Sequence, residues 1–314
     1  MQLTSNTRAF IEAEQYSDFI LMNLHDGLLP DTFYRNVGDF MHGDTLNIKT
    51  IGTVTIQESE ENVPLVYNPI ESGEITFQIT EYVGDAWSVT DDLREDGSQI
   101  EQLMAARATE STRAIQERWE TDYLATAAAP FVAATDGLPV NGFDHFKVAD
   151  TTNHTFDIEY LIDMRLAADK ANVPAMGRVF IVDPVVEATL NKKVSITNDV
   201  TQFASAIMEK GLAAGQRFIS NWFGWDIMTS NRLATGSADD GTTTEADAVF
   251  NIGMCILDDQ TKPLMAAWRR MPSVTGDRDF ERRADRFQTT TRYGIGIQRL
   301  DTLFCIATNS TATE

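Results

Sequence analysis

The chain is predicted to be α+β, with helices laid on a mixed sheet and two extensions, an N-terminal arm and a long β ribbon. Three observations predict it. Residues between 45 and 80 alternate apolar and polar at period two around an acidic stretch. Residues 98–128 hold helical spacing. The second half of the 314 residues is dominated by short apolar runs separated by turns.

Residues 1–42 read as an extended arm with one short helix near 8–24, where Phe10, Ala13, Phe19, Ile20 and Leu24 are apolar. Gly27 follows as a stop and Pro30 lies beyond it. Residues 43–90 read as β. Thr45–Lys49, Thr53–Ile56 and Glu74–Thr80 alternate, and Glu58–Asn62 forms a polar, acidic tip. A lone two-stranded ribbon is marginal in water, so this one is expected to lie on something outside its own chain. The alternative is a ribbon folded back on its own body.

Asp96-Gly97-Ser98 opens the longest helix, Ser98 to Ala128, a rod of about 45 Å at 1.5 Å per residue. Ile100, Leu103, Met104, Ile115, Trp119 and Tyr123 make a narrow stripe interrupted by Arg107 and Ser111. Such a helix is expected along a sheet, with Glu101, Glu110, Arg113, Glu117, Arg118 and Glu120 on its solvated face. A loop-rich region, 136–142, precedes a helix at 158–171. Val179–Val182 reads as a strand buried on both faces. Asp183-Pro184 caps a helix at 185–193, and another helix is expected at 200–210. Strands follow at 225–229, 249–257, 264–271, 286–297 and 303–308, with 235–247 read as an exposed loop.

Composition limits function. The formal net charge is −22, from 25 basic and 47 acidic residues, so the chain as a whole repels nucleic acid. No stretch is apolar enough to span a membrane, and residues 1–8 lack a secretory pattern. Cys255 and Cys305 read as small buried hydrophobes rather than a disulfide. From Glu58 to Glu101 the only base is Arg94, whereas residues 269–299 hold eight arginines. That asymmetry suggests one part of the molecule meeting a copy of itself. Interleaved Asp277, Asp279, Glu281 and Asp285 favour ion pairing over nucleic-acid contact for these arginines.

Catalytic signatures are missing. The histidines 25, 42, 145 and 154 lack helical metal spacing, there is no nucleophile elbow, and the cysteines show no Cys-x-x-Cys spacing. Gly294-Ile295-Gly296 lacks a third glycine and reads as a close-packed strand. Asp239-Asp240-Gly241 with Glu245 and Asp247 does not fit the calcium-loop pattern. Asp91-Asp92 with Glu95-Asp96 reads as acids favouring a helix N-terminus.

Five stretches stand in order: Leu29-Pro30-Asp31-Thr32-Phe33-Tyr34-Arg35, Gly43-Asp44-Thr45-Leu46-Asn47-Ile48, Asp91-Asp92-Leu93-Arg94-Glu95-Asp96-Gly97, Val179-Phe180-Ile181-Val182-Asp183-Pro184 and Ser230-Asn231-Arg232-Leu233. In that order they resemble the major capsid protein family of tailed bacteriophages, whose Hong Kong-type capsid fold also builds herpesvirus capsids and encapsulin compartments. The resemblance implies an arm at 1–42, an E-loop region at 43–90, and a peripheral domain from 91–141 and 262–299 that includes a spine helix at 98–128. It implies a mainly axial domain from 142–261 and 300–314.

It also implies a non-enzymatic subunit without cofactors that self-assembles into hexamers and pentamers of an icosahedral head around double-stranded DNA. The head would be built in the bacterial cytoplasm. Implied partners are a separate scaffolding protein, a portal protein, a decoration or cement protein, and packaged DNA bound without sequence preference; no membrane is implied. The expected contact residues between subunits are Glu58, Glu60, Glu61, Glu71 and Glu74 on the ribbon, and Arg269, Arg270, Arg278, Arg282, Arg283 and Arg286 on the basic strands. Some relatives cross-link an E-loop lysine to a neighbour; this chain has no lysine from 50 to 146. An encapsulin-type shell is the first alternative, and a soluble acidic hydrolase the second.

Overall fold

The computed structural model describes residues 29, 31–38, 45–52, 56–59, 61, 64, 67, 72–96, 100–151, 153–196 and 218–310. The expected helices at 8–24 and 200–210, most of the strand at 53–56, and Glu60 and Glu71 lie outside them.

Fifteen strands occur among the described residues: β1 (Arg35–Asn36), β2 (Thr45–Ile51), β3 (Ser72–Gln78), β4 (Glu81–Thr90), β5 (Pro139–Val140), β6 (Phe143–Asp144), β7 (Phe146–Val148), β8 (Arg178–Val182), β9 (Phe218–Trp222), β10 (Trp225–Thr229), β11 (Thr235–Asp239), β12 (Thr244–Cys255), β13 (Leu264–Asp279), β14 (Ala284–Ile297) and β15 (Leu303–Asn309). Four helices accompany them: α1 (Asp91–Asp96), α2 (Ile100–Val132), α3 (Ile158–Lys170) and α4 (Pro184–Ile196).

Two sheets organise the body. One has the order β1-β13-β14-β4; the other runs β7-β15-β12-β8-β10-β9, with β11 paired to β12. The second is mixed, since β8 and β10 are parallel, as are β7 and β15, while β12 is antiparallel to β8 and β15. Its central strands are buried throughout in β8 and over the C-terminal half of β12, as their unbroken apolar runs require.

Helix α2 crosses both sheets and joins them. Trp119, Tyr123, Leu124, Ala127, Ala128 and Phe131 enter a core shared with Val179, Phe250, Leu264, Tyr293 and Cys305. The helix runs past its expected end, through Pro130 to Val132. Pro130 forfeits one backbone bond near the C-terminus, but buried Ala127, Ala128 and Phe131 hold the last turn in place. A second core lies between α3, α4 and the far face of the larger sheet, around Phe156, Leu161, Met164, Phe180, Trp225 and Phe304.

Three local readings are corrected. Residues 81–90 do not extend the ribbon: β4 pairs with β14 from Glu81↔Tyr293 to Thr90↔Ala284. Residues 235–247 are not a loop but the β11–β12 hairpin. Asp91–Asp96 is a six-residue helix of its own rather than a cap for the long one. Both cysteines are free and buried, and burial pushes the Cys305 thiol well above its ordinary range.

Candidate assembly surfaces

The ribbon is a two-stranded sheet, β2 with β3, in register from Thr45↔Gln78 to Ile51↔Ser72. Its root is fixed by close contact. Phe77, 1 % exposed, packs with Val37, Ile79, Met265 and Ala267. Here the Gly294-Ile295-Gly296 run acquires its reason. A Cβ on Gly294 would lie 2.4 Å from the Gln78 carbonyl oxygen, and one on Gly296 would lie 2.8 Å from the Phe77 ring. The glycines let the ribbon cross directly over β14, as the close-packed-strand reading requires. Away from the root, Thr45, Asn47, Lys49, Gly73, Glu74 and Thr76 are exposed, and Leu46, Ile48 and Ile75 only partly covered. Near the tip, Glu58 and Glu61 are exposed, as are Ile56 and Tyr67.

The expected basic cluster is split in two. Arg270 pairs across the sheet with Arg292, and its guanidinium donates to Thr290 Oγ1 at 3.1 Å. Arg278 lies eight residues further along β13, about 26 Å away at 3.3 Å per residue. There the arginines meet acids of their own chain. Arg278 grips Asp91 at 2.6 Å and Asp285 at 2.9 Å, Arg94 holds Asp285 at 2.8 Å, and Arg286 pairs with Asp279. These bonds tie α1 to the end of the β13–β14 hairpin, and the Arg278 guanidinium holds the Asp91 carboxyl below its usual range. Arg269, Arg282 and Arg283 are exposed.

The solvated face expected for the long helix contains one error. Glu120 is 1 % exposed. Its carboxylate accepts from Leu29 N (3.4 Å), from Ser230 Oγ (3.2 Å) and from Arg232 (3.4 Å), and Arg232 also pairs with Glu117 at 3.0 Å. Burial raises the Glu120 carboxyl above its ordinary value, with the Arg232 guanidinium opposing the rise. This one side chain joins the arm root, the helix and the segment after β10.

Among the described residues the acids and histidines singled out from the sequence are engaged with their own chain. Asp239 and Asp240 spend their oxygens on the backbone N–H groups of Gly241, Thr242, Thr243 and Val148. Glu245 meets His154 Nε2 at 3.1 Å and accepts from Asn309. His145 is buried against Phe304, and burial lowers its imidazole below the usual range. Among the described residues no group of three or more acids, histidines or cysteines could hold a metal, and no helix is long and apolar enough to cross a membrane.

Comparison with known proteins identifies the family. A family described as phage capsid protein matches residues 73–307. No curated protein matches the sequence. Among solved structures, the chain resembles one from Mycobacterium phage Che8 with a TM-score of 0.64 at 17 % identity, covering 96 % of this chain and 98 % of that one. It resembles the capsid of cyanophage P-SCSP1u with a TM-score of 0.71 at 12 % identity, covering 98 % and 94 %. It also resembles the SrpI encapsulin of Synechococcus elongatus PCC 7942, with a TM-score of 0.60 at 8 % identity, covering 100 % and 98 %. The chain belongs to the phage capsid protein family and carries the Hong Kong-type fold of tailed-phage major capsid proteins, so its work is to build an icosahedral shell.

Proposed function

We propose that the chain forms hexamers and pentamers of a phage head around double-stranded DNA, and that the ribbon of one copy sets its register on the basic strands of the next. The observation that carries this is the ribbon itself, anchored at Phe77 and, further out, exposed at Thr45, Asn47, Lys49, Glu74 and Thr76. A strand pair in that state gains burial only from another copy. The peripheral half is the four-stranded sheet with α2, and the axial half the seven-stranded sheet with α3 and α4. Acidic Glu58, Glu60, Glu61, Glu71 and Glu74 oppose Arg269, Arg270, Arg282 and Arg283 across copies. Arg278 and Arg286 stiffen the hairpin that presents the last two. A separate scaffolding protein, a portal and a decoration protein complete the head, assembled in the bacterial cytoplasm. The net charge of −22 suits a wall that must not adhere to its contents.

Sedimentation and electron microscopy of the expressed chain, with and without its scaffold, test this: shells or capsomers are expected, and a stable monomer at high concentration refutes it. The likeness to an encapsulin favours one second reading, a compartment around protein cargo. Nuclease-protected DNA in particles from infected cells separates the two.

A further inference from the structure

Between the arm root, α2 and β13 lies a cavity of about 210 Å³, lined by Leu29, Tyr34, Gln116, Trp119, Glu120, Trp268, Met271 and Pro272. Its walls are mainly aromatic: Trp119 stacks on Trp268 at 5.5 Å, and Tyr34 tilts against Trp119 at 5.0 Å. Trp119 is 8 % exposed, and its Nε1 is buried without a hydrogen-bond partner among the described residues. At the rim, Met271 is 63 % exposed, and Arg269 and Arg270 immediately precede it.

The chain also carries a side chain of the complementary kind. Tyr67, between the two strands of the ribbon, is 98 % exposed. Glu58 and Glu61 lie on the same connection. A phenol brings an apolar ring for aromatic walls and a hydroxyl that suits a wet rim. Tyrosine and tryptophan in a central pocket, ringed by charges, are the usual anchors of a protein interface. We propose that Tyr67 of one copy docks in this cavity of a second copy, with the acidic connection facing Arg269 and Arg270 at the mouth. The proposal rests on the reading that the ribbon binds a neighbour, and it names the anchor and the socket.

The test uses two single variants of the full chain, Pro64→Cys, which keeps Tyr67 and is exposed on the same connection, and Met271→Cys, mixed before assembly and treated with a short bismaleimide. Cys255 and Cys305 are buried and leave each chain one reactive thiol. A Pro64→Cys/Met271→Cys heterodimer, proved by the mass of the joined peptides and absent from either variant alone, is the expected result. In parallel, Tyr67→Ala should lower particle yield at least tenfold and Tyr67→Phe, which keeps the ring, less. Particles that form in normal yield with Tyr67→Ala and give no heterodimer overturn the anchor. If reversing Glu58 and Glu61 still impairs those particles, the ribbon reading survives that failure; if it does not, both fall.

Discussion

At the scale of single residues, Glu120 behaves unlike its neighbours on α2. The face it shares is legible in retrospect: Glu120, Leu124, Ala127 and Phe131 recur at helical spacing, and all are buried. Surrounding charges at Arg113, Glu117 and Arg118 disguised it, and its partners Leu29 and Ser230 are 91 and 110 residues distant in sequence. Removing the carboxylate leaves a buried N–H and a hydroxyl without their acceptor and leaves the Arg232 guanidinium with Glu117 but not Glu120. Glu120→Ala should therefore cost about 1–3 kcal/mol in denaturant unfolding, whereas Glu120→Gln, which keeps an acceptor, should cost less than about 1.5 kcal/mol at neutral pH. The pH dependence has a definite sign. The folded-state value is raised, so the folded chain binds this proton more tightly than the unfolded chain does. The stability it contributes is fully present below the unfolded value of 4.5 and is lost as pH rises through the folded one. Glu120→Gln should accordingly look better relative to the parent at pH 7 than at pH 4; a pH-independent difference would show that burial does not perturb the group. Gly294 gives a second residue-scale expectation. Its Cβ would meet backbone, which cannot swing aside as the Phe77 ring beside Gly296 can. Gly294→Ala should cost about 1–3 kcal/mol and more than Gly296→Ala, as measured by thermal unfolding of the subunit.

At the scale of elements, the sequence was read best where one period held over a whole segment. The alternation of β2 and β3, the apolar run of β8 and the spacing of α2 all predicted their elements. The sequence runs β4 on with the ribbon because its inward positions, Val83, Asp85, Trp87 and Val89, include a charge. Asp85 is accommodated by Arg107 of α2 at 2.9 Å, a partner that periodicity cannot reveal. The apolar pattern of the β13–β14 hairpin is shorter than its strands for a related reason. Beyond Trp268 its strand is mostly exposed, so no apolar pattern marks it. What holds its end is the ion-pair group of Arg278 with Asp91 and Asp285, joined by Arg94. Asp91→Asn should loosen that end without unfolding the body. Hydrogen exchange of residues 279–284 should rise while that of β8 and β12 stays slow. The same loosening should appear in the parent as pH falls below the ordinary carboxylate range, because the folded Asp91 value is depressed and its contribution is lost on protonation. Unchanged exchange at the tip would mean that backbone pairing alone holds the hairpin.

At the scale of the whole molecule, the order of elements carried the family, while the chemistry of contact was legible only as charge asymmetry. Composition could show that acids concentrate before residue 101 and arginines after 268. It could not show that Arg278 and Arg286 are engaged within the chain, because strand pairing brings their acids to them. Covalent locking follows a simpler rule. With no lysine from 50 to 146, the far end of the ribbon offers no amine for an isopeptide bond, and the ribbon's one lysine, Lys49, lies on β2 opposite Glu74, so mature shells should run as single chains on denaturing gels; a ladder of high-mass species would refute this. Assembly through charge makes the sharper demand. Exposed ion pairs contribute only about 0.2–1 kcal/mol each, but a shell repeats each one in every subunit. Glu58→Lys with Glu61→Lys should then lower particle yield while leaving the body folded by circular dichroism. The defect should be deepest at low ionic strength, since a Debye length of about 10 Å at 0.1 M already screens contacts that are not close. Arg282→Glu with Arg283→Glu in the same chain should restore part of the yield if those arginines oppose the ribbon, and Arg269→Glu with Arg270→Glu should do so if the opposing site is the cavity mouth. The two rescues are measured side by side by sedimentation. A reversal that assembles normally at every salt concentration would leave the ribbon acids a solubilising role and nothing more.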